Sequence, residues 1–420
     1  MNLKYRIFKK SNLWHLGAIL LFITIACAYF SPALKGYSLK QGDIVRFVGM
    51  SREVQDYRMN DGEQILWTNS MFSGMPTTQI SMLYEGTWLN TVITKIVRFG
   101  LPAPIFFMFV YFFSFYILAL SLRIKPYLGI IGSLAFGLSS YFIVILEAGH
   151  NSKAAAIGLA PLMIAGFIMA YRFKNWILGV ALSSIFMMIE LGANHIQITY
   201  YMALILVLLG VVELVRHIKE DKLPKFFKVT GLLAVGYVFA LMVNYGNLFG
   251  TIDYAEQTIR GGTELTINPD GTANDSITTG GLDREYVTIW SFGHGETFNM
   301  IVPNFKGGET QRIGTNEANE EILDEVDDRF KQNVAQSNQY WGDQPIVSGP
   351  VYIGIIVMFL AFLGLVYVKD KYKWALLSIT LLTIMLSWGS NYVSAFVLFP
   401  ILLYNVNMFL DEKKQLIFSA

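Results

Sequence analysis

The sequence predicts an all-α polytopic membrane protein of about ten transmembrane helices, with two large extracytoplasmic loops of mixed structure. Three observations carry that prediction. Of 420 residues, 54% are hydrophobic and only 15% charged, against about 25% charged in a soluble domain. The apolar residues come in blocks of roughly 18 to 22, long enough to cross a hydrocarbon core of about 30 Å at 1.5 Å per residue. Aromatic residues make up 15%, and many of the 8 Trp and 22 Tyr stand near block ends, where an interfacial belt belongs.

In chain order the blocks lie near 13–31, 103–122, 127–146, 154–171, 176–191, 196–215, 229–249, 347–368, 374–388 and 391–409. The first follows Lys4, Arg6, Lys9 and Lys10, a start shared with signal peptides. Its length and its Tyr29-Phe30-Ser31-Pro32 ending read as a retained span. The fifth and ninth are the shortest. Gly and Pro inside the blocks are tolerable because lipid enforces helix. The only cysteine, Cys27, sits in the first block, so no disulfide can form within the chain.

A net charge of +1 says nothing about partners, but its distribution does. Lys and Arg gather at the N-terminus, at Arg123/Lys125, at Arg172/Lys174, along 216–228, along 369–373 and at Lys413/Lys414. With ten spans all of these fall on one side, which the positive-inside rule makes cytoplasmic, and both termini with them. The chain then reads as one integral membrane domain, 1–420, in the cytoplasmic membrane. Its loops 33–102 and 250–346 face outward. The cytoplasmic loops are short and hold no Walker-type phosphate loop, and nothing points to nucleic acid. Any chemistry belongs to the outer face, at the membrane surface.

The first outer loop opens "LKQGDIVRFVG", with Asp43 about a dozen residues past the membrane exit. Asp43 reads either as the N-cap of a helix marked by Ile44, Phe47, Val48 and Val54, or as an acid addressing a lipid head group; both can hold. The stretch 66–79 is rich in turn formers. At 88–100, Trp88, Leu89, Val92, Ile93, Ile96 and Val97 recur at helical spacing, which predicts an amphipathic helix on the membrane surface or on the rest of the loop.

Between the third and fourth blocks, "ILEAGHNSKAAAIG" packs Glu147, His150, Asn151 and Lys153 into seven residues. On a continuous helix Glu147, His150 and Asn151 share a face. "ELGANHIQITYY" places Glu190, Asn194, His195 and Gln197 at the next outer turn. Ionisable groups at membrane depth are costly and tend to mark function; the alternative is a polar network that only locks helices together. Asp43, Glu147 and His150 could hold Mg²⁺ or Mn²⁺ shared with a phosphate. Without a Cys set or a closely spaced His pair, a structural zinc site is not expected. Lys153 and His150 suit a phosphate equally well without metal.

In the second outer loop, 263–286 is turn-rich, 315–332 is acidic and reads as a solvated helix, and 289–308 carries His294, Glu296, Asn304 and Lys306. "QYWGDQPIVSGPVYIG" leads into the eighth block with Trp341 and Asp343 just above the membrane. Trp341 there either anchors the interface or stacks on a sugar ring.

The phrases "LKQGDIV", "LWTNSMFSGMP", "ILEAGHNSKA", "ANHIQITYY", "GLDREYVTIWSFGHGETFNMIVPNFKGG" and "YWGDQPIVSGPVYIG", in order over residues 39 to 354, resemble the bacterial YfhO family of membrane proteins. That family is similar to C-type glycosyltransferases, which take a sugar from a polyprenyl-phosphate carrier on the outer face. The resemblance implies a cell-envelope acceptor such as teichoic acid and an essential acid in the first outer loop, the position of Asp43. Glu147, His150 and Asn151 match a second acidic motif more loosely. Family members continue past the end of this chain with further spans and an outer domain, so the resemblance implies a shortened form.

The expected function is sugar transfer from a lipid phosphate to an acceptor hydroxyl. Asp43 is the expected base, and Lys153, His150 and His195 stabilise the leaving phosphate. Glu147 and Asn151 orient these groups or hold a metal, and Asn194, Trp341 and Asp343 complete the substrate-binding set. The rivals are a transporter or flippase of a lipid-linked glycan, and a non-catalytic envelope assembly factor.

Overall fold

Apolar blocks without water to bond satisfy their own backbone as helix, and the computed structural model is helical over most of its length. It describes residues 10–84, 88–98, 100–261, 267, 270–273, 282, 284–316, 319–369 and 372–391. The chain divides into two compact units, Met1–Leu138 with Ile145–Leu282, and Ser139–Val144 with Asp283–Ala420.

The main helices of the first unit are α1 (Lys10–Tyr29), α2 (Gly42–Asp61), α3 (Trp88–Arg98), α4 (Ala103–Ser121), α5 (Pro126–Gly137), the end of α6 (Ser140–Ala148, whose residues up to Val144 belong to the second unit), α7 (Asn151–Arg172), α8 (Trp176–Gly192), α9 (Ile196–Lys219), α10 (Leu223–Val243) and α11 (Tyr245–Ala255). Four of them, α4, α7, α9 and α10, are long and apolar enough to cross a membrane. A fifth crossing results if α5 and α6, bent by 43° at their junction, count as one. The predicted first, fifth, eighth and ninth spans are apolar helices of 10–17 residues over their apolar part. Beyond Asn391 the predicted tenth lies outside the described residues.

Burial orders these helices. The apolar window of α7 is 78% buried, against 28% and 22% for α9 and α10, so α7 is the hub of its unit and the other two are peripheral. Helix α1 seats Ala18, Phe22 and Ala26, one turn apart, fully buried. Phe22 meets Phe112 and Tyr116 of α4 at 5.5 and 5.7 Å between ring centroids. Polar side chains lock the bundle where they can reach a partner. Ser183 Oγ donates to Met163 O at 3.0 Å, Tyr171 Oη bonds Thr230 Oγ1 at 2.7 Å, and Asn244 Nδ2 donates to Met188 O at 3.0 Å. Large side chains such as Val207, Phe239 and Met242 stay exposed on α9 and α10, as expected where the solvent is lipid.

In the segment after α1, the turn-rich 66–79 folds into a small antiparallel pair, β1 (Trp67–Thr68) with β2 (Met75–Pro76). Glu53 of α2 ties it down. Its carboxylate accepts from Asn69 N and Ser70 Oγ, both at 2.9 Å, and from Thr68 Oγ1 at 2.5 Å. Those bonds hold Glu53 below the usual carboxylate pKa, the Thr68 hydroxyl most of all.

The second unit is built on a short antiparallel pair, β3 (Gly307–Arg312) with β4 (Asn338–Tyr340). The acidic stretch read as one solvated helix forms two, Glu320–Asp324 and α12 (Asp328–Gln336), because Asp327 caps the second by accepting from Arg329 N at 3.0 Å. Helices α13 (Ile355–Tyr367) and α14 (Tyr372–Ser387) follow. Ser140 donates to Pro350 O at 2.7 Å and accepts from Tyr352 N at 2.8 Å.

Candidate functional site

Asp43 stands in the first turn of α2, where the partial positive charge of the helix end favours a carboxylate. It is not the cap. That position belongs to Gln41, whose backbone is extended and whose carbonyl accepts from Val45 N at 3.0 Å. Asp43 is half-exposed, and its Oδ2 lies 3.0 Å from His150 Nε2. Its Oδ1 is 3.4 Å from the exposed Arg46 guanidinium, one turn on.

The His150 side of this pair depends on a helix break. A helix running on through residues 147–151 would align Glu147, His150 and Asn151; instead α6 ends at Ala148 and Gly149 turns left-handed, with φ +92°. His150 N closes the turn onto Ile145 O at 2.9 Å, and His150 then caps α7, its carbonyl accepting from Ala154 N. A Cβ on Gly149 would come within 3.1 Å of Gln41 Cβ, 3.2 Å of Asp43 Cβ and 3.3 Å of Ile44 N. The break therefore serves two ends. It reverses the chain, and it lets the start of α2 lie directly against the turn.

Gln41 fastens that contact. Its amide and the amide of Asn151 exchange two hydrogen bonds, 3.0 and 3.1 Å, across 110 residues of sequence. Gln41 Nε2 also donates to Leu146 O. Asn151 thus holds α2 in place through Gln41.

Lys153, half-buried in the first turn of α7, acts electrostatically on both imidazoles. Burial first, and then the Lys153 ammonium, hold His150 below its ordinary pKa of 6.5 despite the opposing pull of Asp43. Burial and Lys153, and more weakly His150, likewise depress His195 at the start of α9. Near neutral pH both imidazoles are then mostly uncharged. Of the predicted set, Asp43 and His150 are in contact, and Lys153 acts on both imidazoles.

The others are placed differently. Glu147 is exposed on α6 and makes no hydrogen bond or ion pair with the described residues. Asn194 is exposed with φ +57°, and its N–H bonds Leu191 O at 3.0 Å, so it ends α8 in the left-handed turn that Asn tolerates. Glu190 is fully buried and accepts from Thr199 Oγ1 at 3.1 and 2.9 Å, a tie between α8 and α9. Gln197 donates to Tyr201 Oη on the same helix. Among the described residues no group of three or more His, Cys, Asp or Glu side chains is arranged to hold a metal ion. Asp43 and His150 meet, but the third predicted ligand, Glu147, does not join them, so this geometry does not fit the Mg²⁺ or Mn²⁺ site considered from sequence.

Beside the cluster lies a cavity of about 400 Å³. Met82, Phe106, Phe107, Leu159 and Ile189 give it apolar walls, and Lys95 and Arg98 of α3 bring two cations to it. Ala155 of α7 and Gly192-Ala193 at the end of α8 also line it. Cavity and polar cluster therefore share two elements: the first turns of α7, and the turn that leads to His195.

Trp341 and Asp343 belong to the second unit, just past β4. Trp341 is 60% exposed, yet its backbone is held by a 3.1 Å bond from its N–H to Lys306 O. Asp343 Oδ2 lies so close over Gly293 that a Cβ there would meet it at 2.1 Å. Beneath, the buried Glu296 accepts from Gly293 N at 2.6 Å, from Gln344 Nε2 at 3.2 Å and from Tyr340 Oη. Burial, and then that bond to the carboxylate, push the Tyr340 phenol up.

Sequence reasoning missed two groups. Gln41 lies within "LKQGDIV", but nothing local marks an amide whose partner is 110 residues away. Near the Arg172 end of α7, the buried Glu213 binds Arg172 at 2.7 Å and Arg216 at 3.4 Å. The signal there was an acid, Glu213, one turn before the basic run 216–228. Comparison of the chain with protein-family models, with curated proteins and with solved structures gives no match.

Proposed function

We propose that the chain is a membrane glycosyltransferase that moves a sugar from a polyprenyl-phosphate carrier to an extracytoplasmic cell-envelope acceptor. In this reading it is a YfhO-type, C-type-like enzyme of the bacterial cytoplasmic membrane, with about ten spans, both termini inside and the Asp43 cluster on the outer face. The observation that carries the proposal is the Asp43–His150 pair, 3.0 Å apart, in electrostatic reach of Lys153. A base and a cation at the ends of apolar helices are what a sugar carried on a lipid phosphate requires.

Asp43 takes the proton of the acceptor hydroxyl as the acceptor oxygen bonds the anomeric carbon. The bond from that carbon to the phosphate oxygen breaks, and its electron pair leaves on the phosphate. Lys153 offsets the charge that develops there. His150, held uncharged, does not serve as a cation; its Nε2 orients the Asp43 carboxylate. His195 is likewise neutral and offers a hydrogen bond.

The bend of 43° between α5 and α6 and the break at Gly149 favour a second reading, a flippase of the lipid-linked glycan, because transporters carry broken helices at their sites. Transfer of radiolabel separates the two. Membranes holding the wild-type chain, given labelled polyprenyl-phosphate sugar and envelope extract, should label an acceptor. Asp43→Asn should lower that rate by about 100-fold or more. Equal transfer by the variant removes Asp43 as base. Movement of intact carrier across the bilayer without transfer establishes the flippase.

A further inference from the structure

We infer that the second unit carries a carbohydrate-binding surface of its own, on which the exposed ring of Trp341 stacks against a neutral sugar while Asp343 and Lys306 bond its hydroxyls. All of these residues belong to the second unit, so the surface is a binding site apart from the Asp43 cluster.

Three glycines build it. Gly307, with φ +87°, starts β3, and a Cβ there would come within 2.8 Å of Trp341 Cε3. The indole therefore lies against bare backbone, and the bond from Trp341 N–H to Lys306 O, 3.1 Å, fixes its root. Asp343 lies over Gly293, and the place of a Gly293 Cβ is also 2.9 Å from Glu296 Oε2. Lys306 lies over Gly295, its Nζ 3.3 Å from where that Cβ would stand. A side chain at any of these glycines would push one of the three groups aside.

Beneath them the support is firm. The buried Glu296 accepts from Gly293 N, Gln344 Nε2 and Tyr340 Oη, and Gln344 N donates to Tyr340 Oη at 2.8 Å. These bonds tie the 293–296 loop to the 340–344 segment. Both Glu296 oxygens are thereby occupied. The exposed Asp343 carboxylate and the Lys306 ammonium, in contrast, make no hydrogen bond or ion pair with the described residues. A fixed framework holding charged groups with open hydrogen-bonding capacity is preorganised for a ligand.

The chemistry of the three groups selects that ligand. A carboxylate accepts and an ammonium donates, and a sugar hydroxyl can meet either. Their charges offset, so the pair favours no net ionic charge. A pyranose also presents a face of C–H groups to an indole that is 60% exposed. An exposed acid two residues from the ring counts against a lipid anchor, since acids at membrane depth are costly.

The full chain in nanodiscs is titrated by calorimetry with neutral trisaccharides of glucose, galactose and N-acetylglucosamine, and with choline and Ca²⁺. At least one trisaccharide should bind with a Kd of about 1 mM or tighter, and choline and Ca²⁺ more weakly. Trp341→Ala should weaken the sugar about tenfold and Trp341→Phe by less. Asp343→Asn, at an exposed position that carries no packing, should weaken it about threefold to tenfold. Trp67→Ala, which removes an exposed indole of the first unit, should leave sugar binding unchanged. So should Asp43→Asn, which makes loss of transfer and loss of sugar binding separate results. No binding by the folded wild type, full binding by both Trp341→Ala and Asp343→Asn, or tighter binding of choline or Ca²⁺ would overturn the assignment. Brominated lipid that quenches the fluorescence lost in Trp341→Phe would also overturn it, because the ring would then be a membrane anchor.

Discussion

Replacing Gly149 by Ala tests whether the break between α6 and α7 builds the site. At φ +92° an L side chain is strained, at a cost of about 1–2 kcal/mol. The new Cβ adds contacts of 3.1, 3.2 and 3.3 Å to Gln41, Asp43 and Ile44, inside the 3.4–4 Å of ordinary packing. Relieving that overlap costs about 1 kcal/mol or more and pushes the start of α2 away from His150. Gly36 supplies the control. It has φ +87° but nothing within 4 Å of its added Cβ, so Gly36→Ala carries the backbone strain alone. Unfolding of the three chains in detergent should give losses of about 2–4 kcal/mol for Gly149→Ala and about 1–2 for Gly36→Ala. Only the former should lose the proposed sugar transfer, through a wider Asp43–His150 separation. A Gly149→Ala chain as stable as Gly36→Ala, with wild-type transfer, would refute the reasoning.

Four further outcomes follow from the same geometry. Lys153 depresses the pKa of His150, so Lys153→Met should move the imidazole titration upward, which histidine NMR reads directly; a downward shift or none contradicts the assignment. In the wild type, falling pH charges His150 and turns it into a counter-ion that occupies Asp43, so if the chain carries out the proposed transfer, its acid limb should have its midpoint below 6.5. Thr199→Val leaves the buried Glu190 without its hydroxyl partner and should cost about 1–3 kcal/mol in unfolding, with Thr199→Ser restoring most of it. Glu213→Ala strands Arg172 among buried groups and should cost about 3–5 kcal/mol, whereas Lys222→Ala, an exposed pair with Glu220, should cost under about 1 kcal/mol.

Hydropathy made the apolar helices legible, because in lipid the backbone has no other way to satisfy itself. It did not foresee that α7 is the hub and that α9 and α10 stay peripheral, since all three look equally apolar in sequence. The site was half legible. Asp43, His150, Lys153 and His195 stand out as ionisable groups at block ends, and of these the fold puts Asp43 against His150. Glu147 joins His150 and Asn151 only on a continuous helix, and the helix breaks at Gly149. The sign was present: Gly after an apolar run, followed by His-Asn, is a stop signal. Asn194 after Gly-Ala carries the same message, which is why it ends a helix. Gln41 was invisible because its meaning lies in a partner 110 residues on.

The amide pair between Gln41 and Asn151 has a consequence for biosynthesis. At about 5–20 residues per second, the ribosome needs roughly 5–20 s to make the 110 residues that separate them. Through that interval the segment carrying Asp43 has left the translation machinery before its anchor has been synthesised. Its final shape must wait for the turn at Gly149 to emerge, so the contact between Asp43 and His150 forms only after the segments in between have been made.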